Sequence, residues 1–199
     1  MRVVVFDTET TGIPSKGLSL DWQPYICQFA AVVYEVIDGE LREVLRRDFL
    51  IKPAVAIEYE VVRVHGITNA MVADAPAFGD VAEEILELFA SADCAVAHNL
   101  AFDEAVLRCE LLRLGRDGDF LPEQRFDTMK ETRDLCQLPG RHEGFKSPKL
   151  AELHQFLFGR GFEGAHNALA DVLATGACLA ELLKRGIFKP EEGGQGRLF

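Results

Sequence analysis

Asp7 and Glu9 stand two positions apart, directly after the apolar run Val3-Val4-Val5-Phe6, near the start of this 199-residue chain. On an extended backbone alternate side chains share a face, so both carboxylates point the same way. Two anions side by side at the end of a buried strand repel each other and lose hydration. That arrangement calls for a positive charge between them, and a hard divalent cation supplies one. Thr10-Thr11-Gly12-Ile13-Pro14 follows as turn material, so the pair also fits the opening of a solvated loop. Both readings stand on this segment alone.

Two more acids bear on the choice. Asp171 is the one charge in the stretch from Asn167 to Ala180. A helix so apolar on every side is packed on most of them, and a buried carboxylate is rarely left unpaired. Asp103 follows the apolar segment 94–97 in the first turn of another helix, flanked by Ala101 and Phe102. Compensation of the helix dipole is the competing account of each, worth under about 1 kcal/mol at an exposed site. Taken together, Asp7, Glu9, Asp103 and Asp171 lie at one strand end and two helix starts, positions that converge at one edge of an α/β sheet. Four such carboxylates need metal to coexist. Two divalent ions about 3.5–4 Å apart would make the cluster a site for phosphodiester hydrolysis. His166 precedes the helix that carries Asp171. It fits a cap or a surface residue, and beside a metal cluster it also fits a base that takes a proton from water near neutral pH.

The elements that must position these groups follow from pattern. Residues 3–6 read as a short buried strand and residues 8–24 as a loop. Residues 25–37 and 41–51 read as strands joined at the Asp38-Gly39 hairpin turn. Residues 58–64 form a short helix closed by Gly66. Phe78, Val81, Ala82, Ile85, Leu88 and Phe89 recur at helical spacing after Pro76. Residues 94–97 are a buried strand, and Asn99 caps a helix over residues 100–114. A polar loop over 115–125 leads to a segment, 126–136, read as a short strand running into a helix. Residues 139–148 form a loop, and helices cover 150–158 and 167–185. The order predicts an α/β fold with a mixed sheet flanked by helices.

Composition sets limits. An apolar content of 48 % supports one sizeable core. No apolar run approaches the roughly 20 residues of a membrane span, and Met1-Arg2 leads straight into the first strand, so neither membrane nor signal peptide is expected. Cys27, Cys94, Cys109, Cys136 and Cys178 are scattered and odd in number, which fits reduced thiols of the cytoplasm rather than a disulfide frame or zinc site. A net charge of −11 excludes a protein that grips nucleic acid by bulk positive charge, though not an enzyme whose metals and local cations supply the attraction.

In order and spacing, Phe6-Asp7-Thr8-Glu9-Thr10-Thr11-Gly12, His98-Asn99-Leu100-Ala101-Phe102-Asp103 and His166-Asn167-Ala168-Leu169-Ala170-Asp171 resemble the three motifs of the DEDDh (DnaQ-like) 3′→5′ exonucleases. That family includes the proofreading epsilon subunit of bacterial replicative DNA polymerase and the ribonuclease T and oligoribonuclease types. The match spans about 165 residues. The resemblance implies a ribonuclease H-like fold and two Mg²⁺ or Mn²⁺ ions. Asp7, Glu9 and Asp171 would bind the ion carrying the attacking water, Asp7 would bridge to the second, and Asp103 would help hold that one. His166 would be the general base. Thr10, Gly12 and Ile13 would line the pocket for the 3′-terminal nucleotide, with Asn99 and Phe102 positioning the strand. The substrate implied is a single-stranded or frayed 3′ end of DNA in proofreading or repair, and RNA is the alternative because the hydrolytic residues are shared. A replication subunit with secondary activity, binding a clamp or a DNA polymerase, is the further alternative. His65-Gly66-Ile67-Thr68 also resembles a family segment and reads as structural. Arg141, Lys146 and Lys149 fit phosphate contacts or a solvated loop.

Residues 1–185 form the expected exonuclease domain, and 186–199 a flexible tail of polar and glycine-rich composition. The tail ends in Gln195-Gly196-Arg197-Leu198-Phe199. Gln195, Leu198 and Phe199 resemble the peptide with which replication proteins dock on the bacterial sliding clamp. An apolar pair has little reason to end such a tail unless it docks, either on a partner or back on its own domain.

Overall fold

The valine run at residues 3–5 is the middle of a five-stranded mixed sheet in the computed structural model, which describes residues 1–140 and 144–190. The strands are β1 (Arg2–Thr10), β2 (Ile26–Ile37), β3 (Glu40–Leu50), β4 (Cys94–Ala97) and β5 (Gln124–Asp127), in the order β3-β2-β1-β4-β5. β1 runs antiparallel to β2 and parallel to β4, and β4 runs parallel to β5. Val3, Val4 and Val5 are wholly buried, as a strand covered on both faces requires. β3 is an edge and alternates between exposed and half-buried residues, with Arg42, Arg46 and Arg47 on it. Charge on an edge discourages pairing with another chain. Asp38 and Gly39 both have positive φ, as the tight turn joining β2 to β3 needs.

Helices α1 (Tyr59–His65), α2 (Phe78–Ala90), α3 (Leu100–Arg113), α4 (Thr128–Glu131), α5 (Arg133–Cys136), α6 (Leu150–Phe158) and α7 (Ala168–Lys184) cover the sheet. Alternation along β1 divides the core. Val4 and Phe6 pack with α2 and α3, while Val3 and Val5 pack with α6 and α7. A smaller cluster of Cys27, Ile57, Ile67 and Val72 seats α1 and its loops. α7 approaches β2 closely at Gly176, where a Cβ would lie 2.5 Å from Tyr34 Oη.

Several expectations change. β1 continues through Thr10, so Asp7 and Glu9 lie within the strand, opposite Ala30 and Gln28, rather than at its end. The segment read as loop over 115–125 already contains the start of β5, because ladder bonds to β4 outweigh its polar composition. A single 3₁₀ turn, Leu20–Trp22, interrupts the first loop. Asn99 adopts a left-handed φ of 78° and caps nothing with its side chain; its N–H donates to Asp127 Oδ1 at 3.1 Å. The packed chain runs beyond residue 185, since Phe188 is buried with its ring edge-on to Phe126 at 4.9 Å. The expectations for Arg141 and for Gln195, Leu198 and Phe199 lie outside the described residues. Among the described residues no helix is long and apolar enough to cross a membrane.

Candidate active site

The side chains of Asp7 and Glu9 continue the face of β1 that carries Val3 and Val5, the face covered by α7. Asp171, in the first turn of α7, meets them there. Carboxylate oxygens of Asp7, Glu9 and Asp171 lie within 4.8 Å of one another, and all three residues are half-buried. Asn167 starts α7, its side chain accepting the Ala170 N–H at 3.2 Å. Ala168 N–H is held by Gln28 Oε1 at 3.1 Å, which ties the helix start to β2 opposite Glu9.

Asp103 reaches the cluster from the other layer. It lies on α3, almost fully buried, and accepts bonds from Thr8 N–H at 2.9 Å and Thr8 Oγ1 at 2.7 Å. Thr8 points to the α3 side of β1, so consecutive residues of one strand serve acids on both layers. The structure therefore gathers three of the four expected carboxylates within direct ligand reach of one another and holds the fourth behind the strand by two Thr8 bonds to its Oδ1.

The electrostatics agree with the geometry. Burial, then Asp103, Asp171 and Glu9, push Asp7 well above the usual carboxylate range. Burial, then Asp171 and Asp103, push Glu9 up to about 8. Burial pushes Asp103 up to about 7 against the opposing pull of the Thr8 bonds. Asp171 is raised by burial as well, and the His166 N–H, 3.2 Å from its Oδ2, opposes that. Asp171 Oδ1 is buried and has no hydrogen-bond partner among the described residues. Mutual repulsion and an orphaned buried oxygen at the meeting of three carboxylates fit an oxygen-seeking divalent cation.

His166 is exposed, with a left-handed φ of 66°, immediately before the helix bearing Asp171. Beside the carboxylates a cleft of about 300 Å³ is lined by Glu9, Thr10, Gly12, Ile13 and Phe102 of the expected site, and by Thr8, which the sequence did not single out. Its far wall, which the sequence did not reveal, is α1 through Glu60, Val61, Val64 and His65. His65 Nδ1 accepts the Ile67 N–H at 3.0 Å, and the ring lies 3.7 Å from Cys27 Sγ. Burial holds its pKa below the usual histidine value. Asn99 is not among the lining residues of this cleft. Lys146 is paired with Glu152, and the Lys149 N–H caps α6 through the same carboxylate. Asp127, which no sequence signal singled out, also positions the site. It receives the N–H groups of Asn99 and Met129 on Oδ1, tying the end of β5 to the start of α3.

A mixed sheet with a central strand bearing paired acids, flanked by helices, defines a ribonuclease H-like nuclease fold with an acidic centre. A family model described as exonuclease, RNase_T, matches residues 4–179. The chain belongs to this family of DnaQ-like exonucleases. It is 35 % identical over 184 residues to the DNA polymerase III subunit epsilon-like protein of Rhodobacter capsulatus, covering 92 % of this chain and 24 % of that one. It is also 35 % identical over 186 residues to the 3′-5′ exonuclease DinG of Bacillus subtilis, covering 92 % of this chain and 18 % of that protein. The chain thus spans a quarter or less of the length of these two relatives. Exonuclease X, solved in complex with 5′ overhanging duplex DNA, shares the fold at a TM-score of 0.62 and 28 % identity, over 94 % of both chains.

Proposed function

We propose that the chain removes nucleotides from the 3′ end of single-stranded or frayed DNA by hydrolysis, as a DEDDh-type enzyme of proofreading or repair. The observation that carries this reading is the meeting of Asp7, Glu9 and Asp171 within 4.8 Å beside an open cleft. Those three would hold one Mg²⁺ or Mn²⁺, and Asp7 with Asp103 would hold a second. Bound there, the ions supply charge stabilisation of the attacking and leaving oxygens.

The protein's own groups do the rest. Thr10, Gly12, Ile13 and Phe102, with Val61 and Val64 opposite, take the terminal nucleoside by apolar contact, leaving its 5′ phosphodiester at the carboxylates. His166 takes a proton from the water that attacks phosphorus. The P–O3′ bond breaks, a nucleoside 5′-monophosphate leaves, and the new 3′ oxygen is protonated from solvent. Thr8 keeps Asp103 in place from behind β1. The names of the epsilon-like relative and the DNA complex of exonuclease X support DNA as the substrate. Gln195, Leu198 and Phe199 are proposed to dock on a sliding clamp, which would raise the local concentration of 3′ ends near a polymerase without a basic surface. The free thiols of Cys27, Cys109, Cys136 and Cys178 suit a cytoplasmic setting.

The test is digestion of a 5′-labelled DNA oligonucleotide and its RNA counterpart with Mg²⁺, with Mn²⁺ and with chelator, beside an Asp171→Asn control. A metal-dependent ladder that shortens from the 3′ end, is lost in the control and runs faster on DNA is the expected result. No digestion of either strand with either metal would overturn the enzyme reading.

A further inference from the structure

Trp22 is 78 % exposed, and Ile13, 81 % exposed, lies across a second cleft from it. This cleft, of about 260 Å³, is also lined by Tyr25 and Val55. It shares Gly12 and Ile13 with the cleft proposed for the terminal nucleoside, so Ile13 is a common wall with open space on both sides. We infer that Trp22 is a stacking platform for the second base from the 3′ end, a subsite that rests on the nuclease reading above.

A strand whose last base occupies the first cleft must carry its next base past Ile13, and the neighbouring space is the Trp22 cleft. The lining favours a base over a phosphate. Its lining carries no basic side chain: Asp21 is acidic, Thr11 and Gln23 are neutral polar groups, and the rest is aromatic, aliphatic or glycine surface. An indole face left in water is costly apolar surface, and stacking a base on it recovers that cost for any sequence.

The loop that presents Trp22 is braced. The Arg113 guanidinium donates to the carbonyls of Gln23 at 2.7 Å, Leu20 at 3.0 Å and Pro24 at 3.1 Å, and stacks on the Tyr25 ring at 3.6 Å. Glu110 pairs with Arg113 at 3.1 Å and accepts the Ile26 N–H at 2.8 Å. The Gln23 side chain bonds Ser15 and Leu18. A loop ordered on folding presents its aromatic face without a further ordering cost when the strand arrives.

The test crosses two changes: Trp22→Ala in the protein, and an abasic residue at the second position from the 3′ end of a thymidine decamer. The KM of the intact decamer is expected to rise about fivefold or more in Trp22→Ala. For the abasic decamer the two proteins should have the same KM, and Trp22→Phe should restore most of the intact-decamer value. Hydrolysis of the p-nitrophenyl ester of thymidine 5′-monophosphate, which has no second base, should be unchanged by Trp22→Ala. An equal KM for both proteins on the intact decamer overturns the platform, as does a change in KM of equal size on both decamers. If neither decamer nor ester is hydrolysed by the unaltered protein, the nuclease reading fails separately. Emission then decides the platform, because Trp22 is the one tryptophan of the chain: quenching by the intact decamer and not by the abasic one supports it, and equal or absent quenching overturns it.

Discussion

Replacing Glu9 by glutamine should stabilise the metal-free protein at alkaline pH while removing its activity. Glu9 ionises near 4.5 in an unfolded chain and near 8 in the fold, chiefly because it is buried and then because Asp171 and Asp103 face it. Below about pH 4.5 the group is protonated in both states and contributes nothing to the pH dependence. Between those values the unfolded chain ionises and the fold stays protonated, so stability falls as pH rises, by about 1.36 kcal/mol per unit. Three units to pH 7.5 give an upper value of about 4 kcal/mol; allowing for relaxation among the carboxylates, the cost is about 2–4 kcal/mol. For a domain of this length that corresponds to a rise in Tm of about 5–10 °C in Glu9→Gln at pH 7.5 with chelator. At pH 4.5 the two proteins should melt together. Adding Mn²⁺ should raise the Tm of the unaltered protein more than that of the variant, because the ion neutralises the charge that glutamine lacks. Scanning calorimetry across pH with and without metal reads all of this. A Glu9→Gln protein that melts lower than its parent at pH 7.5 in chelator would refute the reasoning, since the carboxylate would then be stabilised by the protein itself.

Three other outcomes are expected. His166→Ala should lower kcat by about 10²–10⁴ with fluorescent-oligonucleotide binding retained; an unchanged kcat would remove His166 as the base. Thr8→Val deletes the 2.7 Å hydroxyl bond to Asp103 and should cost about 1.5–3 kcal/mol in urea unfolding, with a loss of activity in addition. A shift under about 0.5 kcal/mol would show that the backbone N–H of residue 8 suffices. Gly176→Ala sets a methyl group against Tyr34 and should destabilise by about 1–3 kcal/mol, with Tyr34→Phe in the same chain restoring part of the loss.

The acids of the site were legible because their type contradicts their surroundings: a lone carboxylate in the apolar run of α7, and a pair following three valines. Their roles as a cluster needed only the α/β order, which the hairpin signal at Asp38-Gly39 and the helical spacing after Pro76 made readable. Thr8 was not legible. Its sequence neighbours suggest a loop, and only the continuation of β1 through Thr10, enforced by pairing with β2, turns it toward α3. The α1 wall of the cleft was hidden for a similar reason, since Val61 and Val64 look like ordinary apolar positions of a short helix until the fold sets them across from Ile13. The four-residue β5 pairs with β4 alone, so its sequence had little strand signal to show. Asn99 misled because its residue type favours both side-chain capping and left-handed backbone, and the fold uses the second.

The alternation of β1 between the two layers has a consequence for how this chain tolerates insertions and deletions. Losing or gaining one residue between Val5 and Glu9 would exchange the acid face for the Thr8 face and break both Thr8 bonds to Asp103 at once. The stretch from Asp7 to Glu9 must therefore be inherited as a block of fixed length. The separations between that block, Asp103 and Asp171 are set by loops, such as residues 66–77 and 159–167, that lie outside the sheet. Length variation among descendants of this chain should accumulate there and spare β1, a pattern that sequencing a randomised-length library after selection for activity would expose.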